Sequence, residues 1–223
     1  MFKLVLALLL AGAATAAFSA LIDRLYSRET KELSFPDRLK ERAVFRRPLL
    51  FVGCAMTFFY FDTSYPAASF FSLCFYLPLL IISVTDWEQY IIFDSVVAFL
   101  ALAGLGQSAA AAYRPELFGA AAALPPGPMN GLLTGLAAGA LMLLLAVVLK
   151  GSIFGGDIKL IAAVGLWLGS KYMPACIALG FVLGGAAALL LLLSRQKKRD
   201  EYFAYGPYFV MAAALVRAMG ITL

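Results

Sequence analysis

Two aspartates stand at the edges of long apolar runs and are the residues best placed to do chemistry. Asp86 closes an apolar run in IISVTDWEQYIIFDSVVAF (81–99), and Asp157 follows two glycines in GSIFGGDIKLIAAVGLWLG (151–169). Ionisable groups near lipid hydrocarbon are costly and usually face a bundle interior or a water-filled cavity. Two carboxyls in one cavity cannot both ionise cheaply, so one keeps its proton while the other is charged. Such a pair can activate water for attack on a peptide carbonyl.

Other catalytic chemistries lack their usual residues. The sequence has no histidine, which removes the usual general base and the commonest metal ligand. The three cysteines, Cys54, Cys74 and Cys176, lie scattered in apolar segments without CxxC spacing. They indicate small core residues rather than a zinc site or a disulfide framework. We therefore expect no metal site and no cofactor.

Structural roles compete with catalytic ones for the same residues. Asp157 could cap the helix that it begins, and Asp94 could do the same for its own helix. Gly155 and Gly156 permit positive φ and close approach by another backbone, or they simply pack between helices. Lys159 could pair with a carboxylate or contact substrate, although snorkelling to lipid headgroups is the interpretation we favour. From the residues alone, these alternatives remain open.

The composition is that of a polytopic membrane protein. Of 223 residues, 63% are hydrophobic and 14% charged, and the mean hydropathy is +0.89. We predict an all-α membrane bundle of six to eight helices, with eight favoured, forming a single domain over residues 1–223. The predicted spans are 3–22, 48–62, 66–85, 93–113, 129–149, 157–169, 172–193 and 206–221. The first could instead be a signal peptide, and residues 115–128 read as a loop.

Positive charge predicts the orientation of the bundle. Basic residues concentrate in a predicted loop at about 23–47 and in SRQKKRDE (194–201). The positive-inside rule places both in the cytoplasm and the N-terminus outside. Eight alternating crossings then bring Asp86 and Asp157 to the same cytoplasmic face of the membrane. Contact of the basic clusters with anionic lipid is a better explanation of their charge than nucleic-acid binding.

Three segments carry a resemblance to a known family. The stretch F-G-G-D-I-K-L-I-A-A-V-G-L-W-L-G (154–169) is similar to G-x-G-D-x-K-L-L-A-A-x-G-A-W-L-G of the type IV prepilin peptidases, membrane aspartic proteases of the GxGD class. Asp86 opens a stretch like the family's D-x5-I-P-D, and YGPYF (205–209) resembles its F-G-P-F. The similarity extends over much of residues 66–221.

The resemblance implies a function and catalytic residues. It implies removal of leader peptides from prepilins or pseudopilins at the cytoplasmic face of the inner membrane, with Asp86 and Asp157 catalytic. The remaining positions are expected to shape the site or contact substrate: Phe154, Gly155, Gly156, Lys159 and Asp94. Phe154 and Phe93 depart from the family's glycine and proline. Residues 23–47 lack the zinc-binding cysteines of many bacterial members, which makes their N-methyltransferase activity doubtful here.

Other functions fit parts of the sequence. A peptidase of the same fold could act on an archaeal-type preflagellin or a competence pseudopilin. A catalytically impaired homologue could serve pilin assembly, which the phenylalanine at 154 suggests. A proton-coupled transporter also uses intramembrane carboxylates, although here the acidic residues lie only at helix ends or in loops. The oligomeric state is not indicated by the sequence.

Overall fold

A computed structural model describes residues 2–30, 35–61, 64–119, 125–149, 153–195 and 203–222. Apart from one 3₁₀ turn at Pro115–Leu117, the regular structure in these ranges is α-helical. The helices are α1 (Phe2–Glu29), α2 (Pro36–Phe59), α3 (Pro66–Gln89), α4 (Asp94–Tyr113), α5 (Pro128–Val148), α6 (Gly155–Leu193) and α7 (Gly206–Met219). The predicted fold class, a polytopic helical membrane bundle, is confirmed.

The number of long apolar helices is lower than the six to eight expected. Within the described ranges five helices, α1, α3, α4, α5 and α6, are long and apolar enough to cross a membrane. Helix α7 is apolar but has only 14 residues. Helix α2 begins with a strongly charged stretch, PDRLKERAVFRR, which lowers its mean hydropathy. Two predicted spans, 157–169 and 172–193, both lie in α6.

Helix α6 is interrupted at Gly169. This residue has φ 63° and ψ −179°, a backbone conformation that residues other than glycine rarely adopt. A Cβ here would also lie 2.5 Å from Cβ of Pro126 and 2.8 Å from Oδ1 of Asn130. Both the dihedral angles and the lack of space therefore explain the glycine, which divides α6 into 155–168 and 170–193.

The contacts with α7 show that the chain reverses direction at this interruption. Trp167, before the interruption, lies 5.2 Å from the guanidinium of Arg217 near the end of α7. Gly184, after it, faces the ring of Tyr205, which immediately precedes α7. Residues 170–193 therefore run antiparallel to 155–168, as the two separate predicted spans require.

The basic segment at 23–47 is mostly helical rather than a loop. Helix α1 continues to Glu29 and α2 begins at Pro36, so the helices extend beyond the apolar runs that predicted them. Residues 31–34 lie outside the described part of the chain, as does most of SRQKKRDE, from 196 onward. The charged ends of α1 and α2 are therefore positioned by helical structure.

Glycines bring α5 into close contact with the first part of α6. Gly135 and Gly165 face each other, and a Cβ at 165 would lie 2.7 Å from Cα of Gly135. Gly131 packs similarly against the carbonyl oxygen of Leu166. In lipid, where apolar side chains gain little from leaving the solvent, small residues let helices pack backbone to backbone. This contact fixes the position of residues 155–168 of α6, which include Asp157.

We expect Gly165→Ala to destabilise the bundle because the new methyl group meets backbone atoms, which cannot move aside. A loss of about 1–3 kcal/mol is typical of overpacking. Thermal unfolding in detergent, compared with Gly185→Ala, tests this. A Cβ at Gly185 has no neighbour within 4 Å. Equal midpoints for the two variants would contradict the proposed close packing.

Candidate active site

Asp86 lies in the last turn of α3 and is 5% exposed. Its Oδ2 accepts a hydrogen bond of 3.0 Å from the backbone N–H of Gly206, the first residue of α7. A Cβ at position 206 would lie 2.6 Å from the same oxygen. Glycine is therefore required for this close approach of backbone to carboxylate. Helix α3 ends directly afterwards at Tyr90, whose φ of 57° turns the chain toward α4.

Asp157 lies in the first turn of α6 and is also 5% exposed. Its Oδ2 accepts a hydrogen bond of 3.2 Å from the backbone N–H of Phe154, the residue at the N-cap position. Asp157 thus satisfies a backbone donor at the helix start from the third helical position, although it is not itself the N-cap residue. Its Oδ1 is buried and has no hydrogen-bond partner among the described residues. Such an atom is costly unless it is protonated or bound by a water or ligand.

The structure brings the two aspartates together. Asp157 acts electrostatically on Asp86, and both carboxyls are almost completely removed from the surface. They come from different helices, the end of α3 and the start of α6, and the start of α7 contacts Asp86 at the same end of the bundle. Two buried carboxyls that interact electrostatically cannot both ionise cheaply, which favours a shared proton, the arrangement used for general acid–base chemistry.

Asp94 and Lys159 form an ion pair beside Asp157. Lys159 Nζ lies 2.8 Å from both carboxylate oxygens of Asp94, and the two side chains are 55% and 68% exposed, respectively. Asp94 is the first residue of α4, and no side chain caps that helix. The pair links the start of α4 to the first turn of α6. At this exposure it adds little stability.

The residues before Asp157 have distinct surroundings. A Cβ at Gly156 would lie 3.0 Å from Cβ of Ile92, whereas a Cβ at Gly155 would have no neighbour within 4 Å. Neither glycine has positive φ. Phe154 has φ −95° and ψ 162°, an extended conformation open to any residue, and its side chain is 43% exposed. The phenylalanine therefore introduces no backbone strain at the position where the resemblance expects glycine.

A buried charge cluster next to Asp86 was not predicted. Glu88 is fully buried and accepts hydrogen bonds from Arg46 Nε at 2.7 Å and Nη2 at 2.8 Å. Tyr26 donates to the same carboxylate at 3.1 Å, and Arg46 also pairs with Asp23 at 2.5 Å. Ion pairs with this many hydrogen bonds are the kind that a low-dielectric interior tolerates. The cluster ties α1 and α2 to α3 two residues beyond Asp86.

Two further contacts join α2 to the end of α3. The Gln89 side chain donates to the carbonyl oxygen of Phe35 at 2.7 Å and accepts from its N–H at 3.1 Å. Arg42 donates to the carbonyl oxygen of Trp87, and its guanidinium lies 5.1 Å from the centre of the Trp87 ring. The sequence signal for these contacts was the excess of basic residues in 23–47, but that excess does not show which arginine is buried.

The cysteines take no part in this site. Cys54 and Cys176 are buried, Cys74 is half-buried, and all three are free thiols. Across the part of the chain that the structure describes, no three side chains of metal-binding type gather in one place.

Comparison with protein families gives a match to a known family. The sequence profile of the type IV leader peptidase family matches residues 73–189, slightly more than half of the chain. The matched range contains both aspartates and the Asp94–Lys159 pair, and it ends before Gly206. A search of curated proteins and a search of solved structures each found no match.

We expect Arg46→Ala to be strongly destabilising because it leaves the Glu88 carboxylate buried without its cation. Removing one partner of a buried pair typically costs about 3–5 kcal/mol. The matched control is Arg47→Ala, since Arg47 is the next residue and is exposed. Thermal unfolding in detergent should show a large drop in the midpoint for Arg46→Ala alone. Comparable stability of the two variants would show that the cluster does not hold α2 in place.

Proposed function

We propose that this chain, which belongs to the type IV leader peptidase family, is an aspartic endopeptidase that removes the leader peptides of type IV prepilins or pseudopilins. Membership supports leader peptidase activity in general. The aspartic mechanism rests on one observation above all, the two interacting aspartates buried at one end of the bundle. The matched family range includes both of them.

The proposed reaction needs one charged and one neutral carboxyl. The charged carboxylate accepts a proton from water as the water oxygen attacks the scissile carbonyl carbon. The neutral carboxyl donates a hydrogen bond to the carbonyl oxygen and then a proton to the leaving nitrogen as the C–N bond breaks. The two protonation states belong to the pair, so neither role is assigned to one residue.

Backbone donors hold each carboxyl for this reaction. The N–H of Gly206 fixes one oxygen of Asp86, and the N–H of Phe154 fixes one oxygen of Asp157. The Oδ1 atom of Asp157 has no hydrogen-bond partner among the described residues. It is therefore available to bind the attacking water or the substrate carbonyl. Groups held in place before substrate binds need little reorganisation in the transition state. The unstrained backbone at Phe154 supports an active site rather than an impaired one.

We expect Asp86→Asn and Asp157→Asn each to abolish cleavage, because an amide neither accepts a proton from water nor returns one to the leaving nitrogen. Co-expression with a prepilin, followed by gel analysis of leader loss, measures this. Asp37→Asn is the matched control, since Asp37 is exposed in the first turn of α2. Its cleavage should equal that of the wild type.

Three results would contradict this proposal. Full cleavage by either site variant would remove that aspartate from the mechanism. Equal loss in Asp37→Asn would indicate a general effect of charge. Failure of the folded wild-type protein to cut prepilins, with pilin still bound, would favour an assembly factor that has lost its activity.

We further propose that the aspartates lie at the cytoplasmic face. Arg42 and Arg46 contact the end of α3, so the basic segment lies at the same end of the bundle as Asp86. Positive charge next to membrane spans favours the cytoplasmic side. With α6 counted as two antiparallel crossings and α7 as the last, alternation puts the N-terminus outside.

Reporter fusions test this orientation. Alkaline phosphatase fused after Arg114, at the end of α4, should be active because that end would lie outside. Alkaline phosphatase fused after Ser194, at the end of α6, should be inactive. Green fluorescent protein fused at the same position should fluoresce. The opposite pattern would invert the proposed topology.

A further inference from the structure

An open groove runs along the outside of the bundle between α4, α5 and residues 155–168 of α6. It has a volume of about 610 Å³, and we call it the α4–α6 groove. Much of its lining is small: Ala98 and Ala101 of α4, Gly139 and Ala140 of α5, and Ala162 of α6. Of these, Ala98 and Ala140 are exposed.

The polarity of the α4–α6 groove changes along its length. Its charged lining residues, Asp94 and Lys159, are the ion pair at the end nearest Asp157. From there the lining is apolar as far as Leu166 of α6 and Leu132 of α5. Residues 158–166 span about 12 Å of helix, and Leu132 to Leu143 of α5 about 16 Å. The groove thus runs from the Asp94–Lys159 pair, at the level of Asp157, along an apolar length of two to three helical turns.

We propose that the α4–α6 groove binds the apolar helix that follows the scissile bond of the substrate. The inference rests on the proposed function, because it assumes that the peptide bond is cut at Asp86 and Asp157. The family resemblance implies that the cut lies directly before the hydrophobic helix of the pilin. Beyond that bond the substrate chain would enter the bilayer, where an extended backbone would leave its N–H and C=O groups unpaired. A helix satisfies them internally.

Three features favour a helix over a lipid chain as the occupant. The charged end of the groove, where Ile158 and Lys159 line it, lies in the same first turns of α6 as Asp157 and so at the same level of the bundle. Its small side chains allow the close backbone approach by which helices associate in membranes. Its charged end could contact the polar backbone of the substrate near the cut. Its apolar length matches the apolar side chains that follow the cut.

Filling the groove should weaken cleavage of the natural substrate selectively. We expect Ala98→Phe to lower kcat/KM for a full-length prepilin in proteoliposomes about tenfold more than for a soluble peptide that spans the junction but lacks the helix. The effect should appear mainly in KM, since the aspartates are untouched. The control is Ala109→Phe, because Ala109 is exposed on the same helix about two turns beyond Ala101, where the groove lining on α4 ends. Equal effects of Ala98→Phe on both substrates would overturn the proposal.

Crosslinking tests the occupant without relying on cleavage. A photoreactive phenylalanine at position 140 in the Asp157→Asn variant should yield a covalent adduct with the apolar helix of co-expressed prepilin. The same group at position 109 should not. Adducts with lipid alone, or with a second copy of this chain, would overturn the proposal. If the wild type does not cleave prepilin but a pilin adduct still forms at position 140, the proposed peptidase function is rejected. The proposal that the α4–α6 groove binds the apolar helix of the pilin would then stand.

Discussion

Burial of carboxyl groups in an apolar bundle is the constraint on which the rest of this structure depends. A carboxylate removed from water needs hydrogen-bond donors or cations close by, and lipid supplies neither. The N-termini of α6 and α7 meet this need, since the first N–H groups of a helix have no partner within it. Phe154 and Gly206 offer such groups to Asp157 and Asp86. The convergence of three helix ends at one level of the bundle follows from that requirement.

The same constraint explains why α1 and α2 are structurally coupled to the site. Glu88 follows Asp86 by two residues and is fully buried, so its charge needs a cation that α3 does not carry. Arg46 supplies it from α2, with Tyr26 and Asp23 of α1 completing the hydrogen bonds. Removal of these helices would leave a buried carboxylate without compensation directly beside the aspartate pair. The short basic segment is thus part of the structural support of the aspartate pair.

Hydrophobic runs were enough to predict most of the fold. The apolar stretches located the helices, and the separation of 157–169 from 172–193 anticipated the interruption at Gly169. The ends of the helices were less predictable, because α1 and α2 continue through charged sequence that hydropathy assigns to a loop. The choice of Arg46 over its neighbours depends on tertiary packing that no local pattern encodes. The role of Gly206 was visible only as part of YGPYF, since a backbone donor leaves no side-chain signature.

Because the chain reverses at Gly169, the residues around Asp86 and Asp157 are synthesised at different times. Residues 170–193 carry the chain back to the level of the aspartates, so that α7 starts beside Asp86. The donor to Asp86 is therefore separated from Asp157 by a complete helical hairpin and belongs to α7. During synthesis on the ribosome, both aspartates enter the membrane well before Gly206 does. The nascent protein thus lacks the Gly206 donor to Asp86 until α7 has been made.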